Sequence, residues 1–168
     1  MGAGGRMQFS VGVEYAFHSL FYLVGLPRGK VVGIRDLARI NQLTETYLSK
    51  VFTKLRKAGL VRSVPGASGG YELARTAETI TFWEVVEAVE GTSHFFQCAE
   101  IRRDNVLVED PSCYNDSCPC LIKVVLWEAE EKLRDHLKTK TLQWLYDRVS
   151  GDFTPDRKAA IARWFGAP

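Results

Sequence analysis

Four cysteines stand in this chain, and three of them, Cys113, Cys118 and Cys120, fall within eight residues, with Cys98 upstream. Thiolates are soft ligands for iron–sulfur clusters, zinc or copper(I). The spacing C-x4-C-x-C is not the paired spacing of a zinc finger. Asp110, Pro111 and Ser112, with Pro119, keep the stretch out of a helix, as a ligand loop requires. The competing reading of a cysteine is a small buried hydrophobe. It suits Cys98, which follows Phe95 and Phe96. It suits the other three poorly, because their neighbours are Ser, Asn and Asp. A second set is Glu14 and His18, four residues apart and so on one face of a helix. That spacing presents two ligands to one metal centre, or lets the carboxylate orient the ring. The competing reading is a hydrogen bond on a solvent face. His94 and His136 have no such neighbour in the sequence and read as surface residues.

The elements that must position these groups follow from hydrophobic periodicity. Residues 9–26 read as a helix, with Ser10 as its N-cap and Val13, Phe17, Leu20, Phe21 and Val24 inward. A short helix over 34–40, a tight break at 41–43 and a second helix from Thr44 to about Ala58 come next. Thr44 or Thr46 would cap the second helix and Gly59 would stop it. Strands over 60–64 and 71–74 flank the Gly-rich loop 65–70, a hairpin. A helix over 81–91 follows. Residues 92–120 lack periodicity and hold all the cysteines. A long helix over 121–137 carries Ile122, Leu126, Ala129, Leu133 and Leu137 as one stripe, and short helices are expected at 141–149 and 157–165. The organisation is a winged helix-turn-helix over 7–91, a cysteine loop over 92–120, a long helix within 121–140 and a helical tail over 141–168. The fold class is mainly α with a small β-wing.

Composition sets the bounds. With 46% hydrophobic and 25% charged residues in a chain of 168, the protein folds without disulfide staples, and wholesale disorder, collagen repeats and a polytopic membrane protein are excluded. The apolar stretch 17–26 is too short to span a bilayer. The expected place is the cytoplasm, where clustered thiols bind metal more often than they pair. Residues 1–75 hold 11 Lys and Arg against 4 Asp and Glu, whereas the remainder holds 11 against 16. A basic first half fits a polyanion-binding module. Two short helices and a hairpin wing form a pattern whose second helix enters the major groove of DNA. Its candidate base-facing residues are Thr44, Glu45, Thr46, Ser49 and Lys50. Lys54, Arg56, Lys57 and Arg62 would anchor phosphates, and Ser68 and Gly69 would form the wing tip. A helical hairpin serving only as a protein-interaction surface is the competing reading.

Four stretches then carry a family likeness. They are the N-terminal helix; Asp36-Leu37-Ala38 with Thr46-Tyr47-Leu48; the run from Leu55 to Val61 into Gly69-Gly70-Tyr71; and Ile80-Thr81 with Glu84-Val85-Val86. Together they cover residues 7–137. The chain resembles the cysteine-bearing, dimeric winged-helix regulators of the IscR/NsrR/RsrR type. The resemblance implies a homodimer whose long helix crosses between subunits, a double-stranded DNA operator as partner, and an iron–sulfur cluster as cofactor. Members with three cysteines spaced five apart differ from this chain, which is closer to the RsrR-type branch. There a Glu and a His from one subunit join two cysteines of the other around a [2Fe–2S] cluster. Carried over, Glu14 and His18 are the non-cysteine ligands, Cys113 and Cys120 the preferred thiolates, Cys118 the rival, and Cys98 matches a cysteine that need not ligate. Pro65 stands where some members place an arginine in the wing.

Two other functions compete. One keeps DNA binding but replaces the cluster with a thiol switch, with Cys98 and Cys113 as the pair. The other is a thiol oxidoreductase using Cys118-Pro119-Cys120. Such enzymes carry C-x-x-C at a helix start near a βαβ pattern, and this chain has neither. No phosphate-binding glycine loop or Ser/His/Asp set is present, so the expectation is a non-enzyme.

Overall fold

The computed structural model describes residues 9–66, 69–115 and 117–166. The chain divides into two compact units: residues 9–91 together with the stretch from 137 onward, and residues 92–136. The cysteine loop and most of the long helix therefore fold as one body, and the tail folds with the winged helix.

In the larger unit, α1 (Val11–Val24) turns Val13, Ala16, Leu20 and Leu23 into the core. Ser10 stands at the N-cap position, but its hydroxyl donates to Glu90 Oε1 at 2.7 Å instead of capping the helix. Helix α2 (Ile34–Ile40) and helix α3 (Glu45–Lys57) follow. The turn between them is closed by Leu43 N–H to Ala38 O at 2.8 Å and Gln42 N–H to Arg39 O at 3.1 Å, with Gln42 in the left-handed region at φ 55. This is the Schellman closure, which satisfies carbonyls that a helix end leaves orphaned. Helix α3 ends the same way: Leu60 N–H reaches Leu55 O and Gly59 takes φ 71.

The wing is one antiparallel pair, β1 (Val61–Val64) and β2 (Gly70–Leu73), in the register Val61 to Leu73 and Val64 to Gly70. Glycines at its loop end are dictated by contact. A Cβ on Gly70 would lie 2.1 Å from Val32 O, and one on Gly69 would lie 2.4 Å from Val64 O. That close approach allows Val32 and Tyr71 to exchange backbone hydrogen bonds of 2.9 and 2.8 Å, which tie the wing to the chain entering α2. Helix α4 (Phe82–Glu90) opens with a capping box, Thr81 and Glu84 each serving the other's backbone N–H. Helices α6 (Leu142–Ser150) and α7 (Pro155–Trp164) complete the unit, each capped by a threonine, Thr141 or Thr154. The core gathers Leu20, Leu37, Leu48, Phe52, Leu55, Leu60, Ile80 and Val85, all essentially sealed.

The smaller unit is built on α5 (Leu121–Lys138), whose last residues, Leu137 and Lys138, belong to the larger one. The irregular stretch ahead of α5 is fastened to it through Glu130. That carboxylate accepts from Phe95 N–H at 3.2 Å and from Arg134, and its Oε2 stands 3.1 Å from His94 Nδ1. The His94 ring stacks on Trp127 at 4.2 Å, and Trp127 Nε1 donates to Phe96 O at 3.1 Å. His94 is therefore a half-buried structural residue, not the free surface histidine its sequence surroundings suggest. Among the described residues, no helix is long and apolar enough to cross a membrane.

Candidate metal centre and nucleic-acid interface

The sulfurs of Cys98 and Cys120 and a carboxylate oxygen of Glu100 lie within 4.8 Å of one another. Cys120 is buried, and Cys98 and Glu100 are half-buried. The backbone positions Cys120 directly ahead of α5: Val124 N–H donates to Cys120 O at 3.0 Å, the first bond of the helix. The N–H groups of Lys123 and Ile122 point at its sulfur. With the Cys98 side chain and the nearby Arg102 charge, they hold the Cys120 thiol below its ordinary pKa, against the opposing effect of burial. Glu100, at φ 50 in the left-handed region, accepts from Arg102 Nε, and that bond holds its carboxyl below the usual range. Two soft donors and one hard donor thus converge at a helix start, a donor set suited to a thiophilic metal.

Arg102 and its neighbour Arg103 fix the rest of the loop. Arg102 donates to Cys118 O at 3.1 Å and lies over the Tyr114 ring at 4.6 Å, while Arg103 donates to Tyr114 O at 3.0 and 2.6 Å. Cys113 and Cys118 are exposed and are not members of the converging group; Cys113 Sγ donates to Asp110 O at 3.0 Å. All four cysteines are free thiols. Sequence reasoning set Cys98 aside because of its aromatic neighbours and did not single out Glu100. The available signal was their spacing of two, which puts both side chains on one side of an extended segment.

Glu14 and His18 lie on the exposed face of α1, with Oε1 and Nε2 3.9 Å apart and each side chain 66% exposed. They are available to a group outside the unit that holds them.

The face of α3 opposite its core residues Leu48, Val51, Phe52 and Leu55 carries the DNA candidates. Thr44, Glu45, Thr46, Lys50, Arg56 and Lys57 are exposed, and Ser49 is half-buried. Two of the proposed phosphate anchors have intramolecular partners. Lys54 Nζ donates to Val89 O at 2.6 Å, and Arg62 Nε donates to Glu72 Oε1 at 2.8 Å while remaining largely exposed. Gly69 lies in the hairpin loop at the wing tip, where its N–H donates to Gly66 O at 2.9 Å, and Ser68 lies outside the described residues.

Known proteins share the fold that carries these residues. A protein named IscR from Cereibacter sphaeroides is 39% identical over 88 residues, which is 51% of this chain and 57% of that protein. The solved structure of T. potens IscR superposes with a TM-score of 0.65 at 25% identity, covering 89% of this chain and 93% of its own. The oxidised form of Staphylococcus aureus CymR gives 0.61 at 27% identity, covering 84% and 97%. The small wing on a mainly helical body is the winged-helix fold of these regulators. Such relatives are named as regulators of transcription, which suggests a non-enzyme. The Rrf2 family model, described as an iron-dependent transcriptional regulator, matches residues 9–148. With that span covering the winged helix, the cysteine loop and α5, the chain belongs to the Rrf2 family of DNA-binding transcriptional regulators.

Proposed function

We propose that this regulator is a homodimer that senses redox state or a related stress through an iron–sulfur cluster of the [2Fe–2S] type. Cys98 and Cys120 of one subunit would hold it together with Glu14 and His18 of the partner subunit. The observation that carries the reading is the convergence of Cys98, Cys120 and Glu100 at the start of α5. It favours Cys98 over Cys113 or Cys118 as the companion of Cys120. The group, when bound, supplies a one-electron couple, and nitrogen and oxygen ligands raise its potential relative to an all-thiolate shell. The chain's own residues do the rest. Ile122 and Lys123 N–H groups favour the deprotonated sulfur, and Arg102 offsets its charge. The side chains of His18 and Glu14 are largely exposed on α1, within reach of a partner subunit. Ligands drawn from two subunits would tie the relative placement of the wings to the state of the site, and a dimer must match its half-site spacing.

The test is an anaerobic preparation assayed for visible absorption, iron and acid-labile sulfide. Cys98→Ser and Cys120→Ser should lose iron and colour, whereas Cys113→Ser and Cys118→Ser should keep both. Glu14→Ala and His18→Ala should shift the spectrum or lower the iron content. Iron retained in Cys98→Ser but lost in Cys113→Ser would restore the assignment drawn from the resemblance alone.

A second reading is a metal-free thiol switch in which Cys98 and Cys120 pair. The proximity of their sulfurs supports it, and a similar solved regulator, CymR, is named in an oxidised form. A colourless protein that takes up no iron and loses two titratable thiols on oxidation would favour it.

A further inference from the structure

The chain continues past the family-matched span, and this tail docks on the helix-turn-helix itself. Trp164 Nε1 donates to Asp36 O at 3.4 Å, and the Arg39 guanidinium lies over the Trp164 ring at 5.7 Å. Lys30 Nζ donates to Gly166 O at 3.0 Å, and Phe165 is buried with its ring 5.5 Å from that of Tyr22. The end of α7 is thereby fastened to α2 and to the segment that enters it.

What this docking leaves on the surface is positive. Arg35, Arg39 and Arg163 are exposed, and among the described residues none has an ion-pair partner. The acids on these two helices are Asp36 and Asp156, against Arg35, Arg39, Arg157, Lys158 and Arg163. In a helix-turn-helix the first helix crosses the DNA backbone while the second enters the groove. A guanidinium fork matches a phosphate bidentately and needs no particular base. We infer that α7 widens the nucleic-acid interface: Arg163 of the tail and Arg39 of α2, beside Arg35, bind backbone phosphate outside the stretch read by α3. Trp164 orders Arg39 by stacking beneath it. The inference rests on the DNA-binding reading of the winged helix and adds a further surface to it.

The experiment uses the full-length protein and a duplex that it selects from a random-sequence pool. Binding is followed by fluorescence anisotropy between about 50 and 200 mM KCl. Removing one arginine–phosphate pair lowers the slope of log affinity against log salt by about 0.9. Arg163→Ala and Arg39→Ala should each show that drop per protomer, about 1.8 for the dimer, so their deficit against wild type shrinks about twelvefold across the range. Unfolding midpoints are measured alongside, because a folding defect lowers affinity by one factor at every salt concentration. Arg56→Ala, on α3, is the comparison. A reduced slope for Arg56→Ala with unchanged slopes for Arg163→Ala and Arg39→Ala would overturn the inference and leave the winged-helix reading intact. Unchanged slopes in all three would overturn both.

Discussion

Glu130 is a carboxylate almost sealed from solvent, at 4% exposure, and it stays charged because everything around it donates. Burial pushes its pKa up, but the His94 ring, the Phe95 N–H and Arg134 outweigh that and hold it below the usual carboxylate range. Its stabilising effect is therefore present above the ordinary carboxylate pKa of about 4.3 and is lost as pH falls through the lowered value. Glu130→Ala removes the buried carboxylate that Phe95 N–H, Arg134 and His94 face and should cost about 2–3 kcal/mol. Limited proteolysis should show faster cleavage within 92–120, and wild-type rates would mean that Glu130 is idle. None of this was legible in the sequence, because His94 and Glu130 stand 36 residues apart and no local spacing joins them. The same blindness applied to Cys98, whose apolar neighbours are local while Cys120, its partner in space, is not. Glu14 and His18 were legible because their relation is local to one helix turn.

Helices announced themselves through their buried stripes, and the ends observed lie within about two residues of those expected. Hydroxyl caps were less legible, since a serine or threonine at the right position has a choice of partners. Thr81, Thr141 and Thr154 cap, whereas Ser10 turns to Glu90 and Thr44 makes no side-chain cap bond. The wing strand β2 starts one residue earlier than its apolar pattern implied, because Gly70 pairs with Val64. The turn between α2 and α3 bends on Gln42 at φ 55, a conformation that costs a residue with a Cβ about 1 kcal/mol. Gln42→Gly should therefore stabilise the larger unit by roughly 0.5–1 kcal/mol. A thermal melt should show its midpoint rising by a few degrees, and a lowered midpoint would show that the Gln42 side chain does something the backbone does not reveal.

Across the whole molecule, the apolar stripe of α5 was expected from periodicity; Leu133 and Leu137 are half-buried, but its first half finds no cover among the described residues. Ile122 is 66% exposed, Val125 61% and Leu126 41%, with Ala129 exposed along the same line. A stripe of that kind is a seam for another helix, and the proposed homodimer supplies one. Ile122→Glu with Leu126→Glu should weaken self-association by roughly 2–4 kcal/mol. Sedimentation should then find the double variant at the mass of one protomer where the wild type runs at two, and an unchanged dimer would place the seam elsewhere. The tail helices were legible as helices, but Trp164 and Phe165 gave no sign in sequence of where they would dock. One atom in this architecture has two employments. The sulfur of Cys120 receives the first free N–H groups of α5 and also faces Cys98 and Glu100, so helix initiation and donor chemistry are read from a single lone-pair source. Replacement by alanine would erase both together and report their sum. Serine keeps an acceptor for the helix while withdrawing the soft donor, which makes it the substitution at this position whose consequences can be told apart.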